Sequence, residues 1–93
     1  MTDLTRIAVV GVGHLGRHHA RKILASPRAK LAALVDLDEA RAQTVADELE
    51  TDTVIANDIR ALDGELDAVV IAATTSAHHA IALAAAELGL HAL

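Results

Sequence analysis

Three glycines and one carboxylate mark where this sequence could do chemistry. Gly11, Gly13 and Gly16 stand in G-x-G-x-x-G spacing within Val10-Gly11-Val12-Gly13-His14-Leu15-Gly16, and Asp36 follows Gly16 by 20 residues. Such a loop holds a diphosphate through its backbone. The first glycine allows a tight turn out of a strand, and the second leaves no Cβ where phosphate must approach. The third lets a helix pack close to the strand. The free N–H groups and dipole of the helix start then face the anion. A carboxylate at this distance is spaced to accept hydrogen bonds from an adenosine ribose. Together these residues describe a dinucleotide site. The competing reading is a tight strand-to-helix turn with a capping aspartate and no ligand.

The elements needed to position these residues are present around them. Ile7 to Val10 is an apolar run with two β-branched valines, so the first strand is expected at 5–10 and buried. A helix is expected at 14–26, with Leu15, His19, Ile23 and Leu24 inward and Pro27 enforcing its stop. A second strand at 30–36 ends in Asp36. A charged helix at 38–50 carries Ala42, Val45, Ala46 and Leu49 inward, and Arg41, Asp47, Glu48 and Glu50 on a solvated face. A third strand is expected at 53–56, then a short helical turn within 57–63 broken by Gly64. The fourth strand, 67–73, is nearly all apolar and so central. An alanine-rich helix at 76–88 stops at Gly89, and 90–93 begins a fifth strand. The alternation predicts an α/β, three-layer Rossmann fold. Its parallel sheet runs in the order 3-2-1-4-5, with helices on both faces, and is truncated at the fifth strand. A ligand in such a fold sits where the order reverses, at the carboxyl ends of the first and fourth strands. The glycine loop and Ala73-Thr74-Thr75-Ser76 both fall at that edge.

Composition narrows the possibilities further. The 93 residues form one domain at most, 53% apolar and 23% charged, which favours folding over disorder. Without Phe, Tyr or Trp the core must come from Ala, Leu, Val and Ile. A net charge of −5 with no basic patch argues against nucleic acid as a partner. The absence of cysteine removes disulfides, thiolate chemistry and cysteine metal sites. Met1-Thr2-Asp3-Leu4-Thr5 lacks the features of a signal peptide, and no apolar stretch approaches membrane-spanning length. A cytoplasmic location is therefore expected. His14 and His18, four apart, raise the question of zinc, but no third ligand is placed with them, so no metal is expected. His91 reads as a strand-edge residue.

Several segments together resemble one family. They are Gly11-Val12-Gly13-His14-Leu15-Gly16-Arg17-His18-His19, Leu34-Val35-Asp36-Leu37-Asp38, Asp67-Ala68-Val69-Val70-Ile71-Ala72, Thr74-Thr75-Ser76-Ala77-His78 and Gly89-Leu90-His91-Ala92-Leu93. The chain resembles the N-terminal domain of the glucose–fructose oxidoreductase/inositol dehydrogenase/rhizopine-catabolism family of NAD(P)-dependent oxidoreductases. The resemblance implies cofactor contacts from Gly11, Gly13, His14, Leu15 and Gly16, mostly through backbone. It implies that Asp36 grips the adenosine ribose and repels a 2′-phosphate, favouring NAD over NADP. Leu37 agrees with this, since an arginine beside the acid would suggest NADP. Ala73, Thr74 and Thr75 belong to the loop expected beneath the cofactor, with helix capping by Ser76 as the alternative use of its hydroxyls. His78 matches a histidine near the nicotinamide side, against the alternative of a surface helix histidine. The chain departs from the pattern in having Thr74 where proline is usual. Family members also continue past the position of Leu93 into a Glu-Lys-Pro segment and a substrate domain.

No residue in the sequence suits substrate proton transfer, so no catalytic residue is assigned. The leading expectation is the NAD-binding part of an oxidoreductase acting on a sugar, cyclitol or nucleotide-sugar alcohol. The small-molecule substrate would meet only a full-length parent. Two other readings stand beside it: a non-catalytic nucleotide-binding module, and an engineered small α/β domain. A Glu-Lys-Pro segment and a long second domain following Leu93 would separate the first from the others. An open edge at the fifth strand makes pairing with a second copy expected.

Overall fold

Every strand of the sheet is parallel, because each is joined to the next by a helical segment that returns the chain to the starting edge. A computed structural model describes residues 4–93. Met1, Thr2 and Asp3, part of the N-terminal segment read above for a leader, lie outside the described residues. The order along the chain is β1 (Thr5–Val10), α1 (His14–Ala25), β2 (Ala29–Val35), α2 (Glu39–Glu48) and β3 (Val54–Ala56). A 3-10 turn (Ile59–Leu62), β4 (Ala68–Ile71), α3 (Thr75–Glu87) and β5 (His91–Ala92) follow. The five strands lie in the order β3-β2-β1-β4-β5, all parallel, as the alternation predicts.

Two apolar layers sandwich the sheet. Ile7 and Val9 of β1 pack with Ala20 and Ile23 of α1 and with Ala42, Val45 and Ala46 of α2. Ala8 and Val10 face the other way, toward Ile59 and Leu62 of the 3-10 turn and Ala84 and Ala85 of α3. The largest fully buried side chains are Leu34, Val9, Val12, Val35 and Val69. Each contributes about 1.5–3 kcal/mol relative to exposure, which the many alanines cannot match.

The inner face of α1 differs from expectation. Gly16, Ala20 and Ile23 are buried, whereas Leu15 and Leu24 are 56% and 42% exposed. A helix seated this close to the sheet must present its smallest residues, and its leucines are turned aside. The helix also ends at Ala25, with Ser26 extended, because a residue before proline avoids the helical region. In β2 the pairing register with β1 slips between Ile7 and Ala8, whose partners are Leu31 and Ala33. Ala32 is the extra residue of this β-bulge. Leu31 and Leu34 consequently face α1 and α2, and Ala33 and Val35 face the other layer. β4 is shorter than expected, leaving Asp67, Ala72 and Ala73 outside it, and α3 starts one residue early, at Thr75.

β1 and β4, which carry the two loops of interest, are fastened at their starting ends. The Asp67 carboxylate accepts from the Arg6 backbone N–H at 2.7 Å and from Arg6 Nε and Nη2 at 3.2 and 3.0 Å. The Arg6 side chain and backbone bonds hold the Asp67 carboxyl at about 2, below its ordinary 3.8. A depressed carboxyl stabilises the fold fully above the ordinary value and loses that contribution as pH falls through the native value. Asp67→Asn is therefore expected to lower the thermal midpoint at neutral pH. The gap to the parent should close as pH falls from 3.8 toward about 2, as followed by circular dichroism melts.

Candidate functional site

The carboxyl ends of β1, β2, β3 and β4 open on a cleft of about 700 Å³. Of the residues singled out from the sequence, Gly11, Gly13, Asp36, Leu37, Ala73 and Thr74 line it. His14 and Leu15 are exposed on the first turn of α1, and Thr75 and His78 are exposed on the first turn of α3. Gly16 is buried beneath the turn.

Each glycine of the loop is required for a different reason. Gly11 has φ +91°, and a Cβ there would lie 2.9 Å from the Ala72 carbonyl group at the end of β4. A Cβ on Gly16 would run into the Gly11 carbonyl oxygen. These two residues let strand, turn and helix close on one another. Around Gly13 the situation is reversed, since a Cβ there meets nothing within 4 Å. The backbone at Gly13 faces open cleft, which is the cradle a diphosphate needs. α1 begins at this point with no side-chain cap and no acid in its first turn. α2, by contrast, is capped by Asp38, which accepts from the Arg41 N–H, and the 3-10 turn is capped by Asp58. The first amides of α1 are thus left for an anion.

Asp36 sits one residue past β2 and is buried, at 7% exposure. Its Oδ2 accepts from Val12 N–H at 3.0 Å and from Arg41 Nη2 at 2.8 Å, and its Oδ1 accepts from Asp38 N–H at 2.9 Å. Burial by itself would raise its pKa. The Val12 and Asp38 amides, with Arg41, outweigh burial and hold the carboxyl below its ordinary value. Asp36 is therefore ionised at neutral pH, facing the cleft. Arg41, Asp47, Glu48 and Glu50 are exposed, as expected for a solvated face, and two of them are also ion-paired. Arg41 is paired to Asp36, and Glu48 is paired to Arg17 across the α1–α2 contact. A long side chain in the first turn of α2 reaches back over the end of β2, a contact that helical periodicity does not reveal.

The N-cap of α3 needs correction. Thr74 is extended and holds the N-cap position, with no cap hydrogen bond from its side chain, while Ser76 lies inside the first turn. The Thr74 and Ser76 hydroxyls are 3.3 Å apart. Among the described residues, no three His, Asp or Glu side chains are grouped to hold a metal ion. No described helix is long and apolar enough to cross a membrane.

The cleft has a wall that sequence reasoning missed. Asn57, Asp58, Ile59 and Arg60 close it after β3, and Ala77, Ala80, Ile81 and Ala84 close it along α3. The signal was available in both. The carboxyl end of any parallel strand lies at the ligand edge, and 77, 80, 81 and 84 share one helix face by spacing. Small residues on that face leave room beside the sheet.

Alanine substitutions separate structure from site. Gly16→Ala is expected to destabilise the fold by at least about 3 kcal/mol, the upper range for overpacking. Gly13→Ala should leave the thermal midpoint nearly unchanged. Denaturant unfolding of the two variants side by side measures the contrast.

The comparisons with known proteins agree with this geometry. A model described as the oxidoreductase family, NAD-binding Rossmann fold, matches residues 5–93. UDP-N-acetylglucosamine 3-dehydrogenase of Acidithiobacillus ferrooxidans is 44% identical over 88 residues, covering 95% of this chain and 27% of the relative. Scyllo-inositol 2-dehydrogenase (NAD(+)) of Bacillus subtilis is 38% identical over 91 residues, covering 96% of this chain and 27% of the relative. Among solved structures, the Acidithiobacillus ferrooxidans enzyme superimposes with TM-score 0.82 at 41% identity, over 98% of this chain and 29% of that one. Scyllo-inositol dehydrogenase from Lactobacillus casei, with bound NAD(H) and scyllo-inositol, superimposes with TM-score 0.83 at 27% identity, over 97% of this chain and 27% of that one. The chain spans just over a quarter of the length of these relatives. With a family match over residues 5–93 and a sheet in the order β3-β2-β1-β4-β5, the chain belongs to the glucose–fructose oxidoreductase/inositol dehydrogenase/rhizopine-catabolism oxidoreductase family, as its NAD-binding Rossmann domain.

Proposed function

We propose that this chain binds NAD, with the adenosine ribose on Asp36 and the diphosphate on the backbone of Gly11 to Gly16. The observation that carries this reading is the juxtaposition, on one cleft, of the open Gly13 cradle and the buried, ionised Asp36. The residues fit the cofactor by their chemistry. Uncapped helix amides suit a diphosphate, and a carboxylate suits a ribose diol. A carboxylate at the ribose repels a 2′-phosphate, which favours NAD over NADP. Gly11 holds the turn against β4, and the small face of α3 with Ile59 leaves an apolar slot for a flat base.

His14 and Leu15, exposed at the first turn of α1, would contribute cofactor contacts mainly through backbone. Thr74, Thr75 and His78 would lie toward the nicotinamide half, with hydroxyls and an imidazole available to its ribose. A bound nicotinamide dinucleotide supplies hydride transfer at its C4. The chain's own residues orient the cofactor, and a substrate-reading part of a longer protein would complete the enzyme. The names of the relatives support a polyol or nucleotide-sugar alcohol as that substrate.

Calorimetric titration of the 93-residue chain tests the reading. Heat is expected with NAD at submillimolar to millimolar concentration, and a folded chain that gives none overturns the site. NADP binding tighter than NAD would overturn the role given to Asp36. Gly13→Val should keep the fold and weaken NAD by at least about tenfold, because a Cβ blocks phosphate approach to the backbone.

A further inference from the structure

A purine held in this cleft has no aromatic ring to lie against. The chain contains no Phe, Tyr or Trp, and no histidine lines the cleft. The slot between the segment after β3 and α3 is walled by Ile59, Ala77, Ala80, Ile81 and Ala84, none of which offers a flat face. A guanidinium can stand in for a ring, since it is planar and stacks on π-faces. The guanidinium groups lining the cleft are those of Arg41 and Arg60.

The two are held very differently. Arg41 Nη2 donates to Asp36 at 2.8 Å, and that carboxylate is buried. Arg60 Nη2 lies 3.3 Å from Glu87 Oε2, and its Nη1 lies 3.8 Å from Asp58 Oδ1. Both of these carboxylates are more than half exposed. The Asp58 oxygen is also in use already, since it accepts the Arg60 backbone N–H at 2.9 Å. Solvated pairs of this kind are weak. Arg60 is thus fixed at its main chain and loosely held at its tip.

Glu87 is the one Asp, Glu, Lys or Arg between Ala68 and Leu93. It is the last residue of α3, where an acid opposes the helix dipole, so nothing within the helix favours it. What it meets is Arg60, on the opposite wall of the cleft.

Building on the cofactor reading above, we propose that Arg60 is the stacking residue for the adenine base, and that Glu87 holds its guanidinium across the slot when no base is there. On binding, the guanidinium exchanges Glu87 for one face of the purine, and the alanines of α3 take the other. Every purine has a π-face, so the contact reads flatness and not the hydrogen-bonding edge of the base.

The test is calorimetric titration of the parent chain, Arg60→Met, Arg60→Tyr and Glu87→Gln with NAD and with its hypoxanthine analogue. Arg60→Met should weaken both dinucleotides alike, by at least about fivefold. Arg60→Tyr restores a flat face without the charge and should bind NAD within about twofold of the parent. Glu87→Gln should tighten NAD by about twofold, because the competing carboxylate is neutralised. In NMR spectra of the parent, the Arg60 Nε–H signal should move upfield with NAD, as a proton above a ring does. Melting curves report whether each variant is folded, and the exposed positions of Arg60 and Glu87 favour that. A folded Arg60→Met that binds NAD as tightly as the parent overturns the proposal, as does an Arg60→Tyr that loses as much as Arg60→Met. A Glu87→Gln that weakens NAD as much as Arg60→Met also overturns it, because the ion pair itself would then be holding the slot. These results leave the NAD site standing. A parent that binds no NAD overturns the cofactor reading and this one with it.

Discussion

A charge closed off from water must be answered by donors at every open position, and Asp36 meets that demand with main-chain amides from two different loops. The Val12 amide belongs to the turn leaving β1, and the Asp38 amide to the chain entering α2. One carboxylate thus joins the ends of β1 and β2 and fixes both loops against each other. The glycine turn cannot drift from the end of β2 without leaving a buried anion short of a partner. Unpaired buried charges cost several kcal/mol, enough to matter in a small core rich in alanine.

The rest of the cleft follows from that tie. With Val12 held, Gly11 must pass close to the Ala72–Ala73 backbone, and the main-chain bond from Gly11 N–H to the Val35 carbonyl, 2.7 Å, seats the turn on β2. α1 then starts directly at Gly13, with its amides uncapped. Where α1 starts at the cleft, the side-chain cap is missing. Where α2 and the 3-10 turn begin, Asp38 and Asp58 supply it. α3 likewise starts without a side-chain cap, so both uncapped helices begin at residues that line the cleft, Gly13 and Thr74.

The legible parts of the fold were those in which backbone geometry dictates a residue type. Gly11 and Gly16 are forced by a positive φ and by contact with main chain, so their spacing carries information that survives in one dimension. The strand order was legible for the same kind of reason, because parallel strands require crossovers. What was not legible depends on where long or small side chains go in three dimensions. Arg41 has the periodicity of a solvated position, and nothing in its neighbours along the chain points to Asp36. The face of α1 was misjudged because hydrophobicity favours Leu15 and Leu24, while close packing selects Gly16 and Ala20. Ser76 and Thr74 are equally good caps by type, and only the extended backbone of Thr74 decides between them. The bulge in β2 was invisible because an almost wholly apolar strand has no alternation to interrupt.

That bulge has a consequence for how the sheet edge and the cleft are linked. If Ala32 were paired in the regular ladder instead of bulging out, Ala33, Leu34 and Val35 would each fall on the opposite side of the sheet relative to Leu31. Ala32 works as a half-turn of phase inserted midway along the strand. It lets one end of β2 be tuned to the α1–α2 layer while the other presents Val35 and then Asp36 in the correct sense to the ligand edge. A strand with such a phase step tolerates changes of length in pairs of residues far better than singly. The position of Asp36 is thereby set by parity as much as by distance.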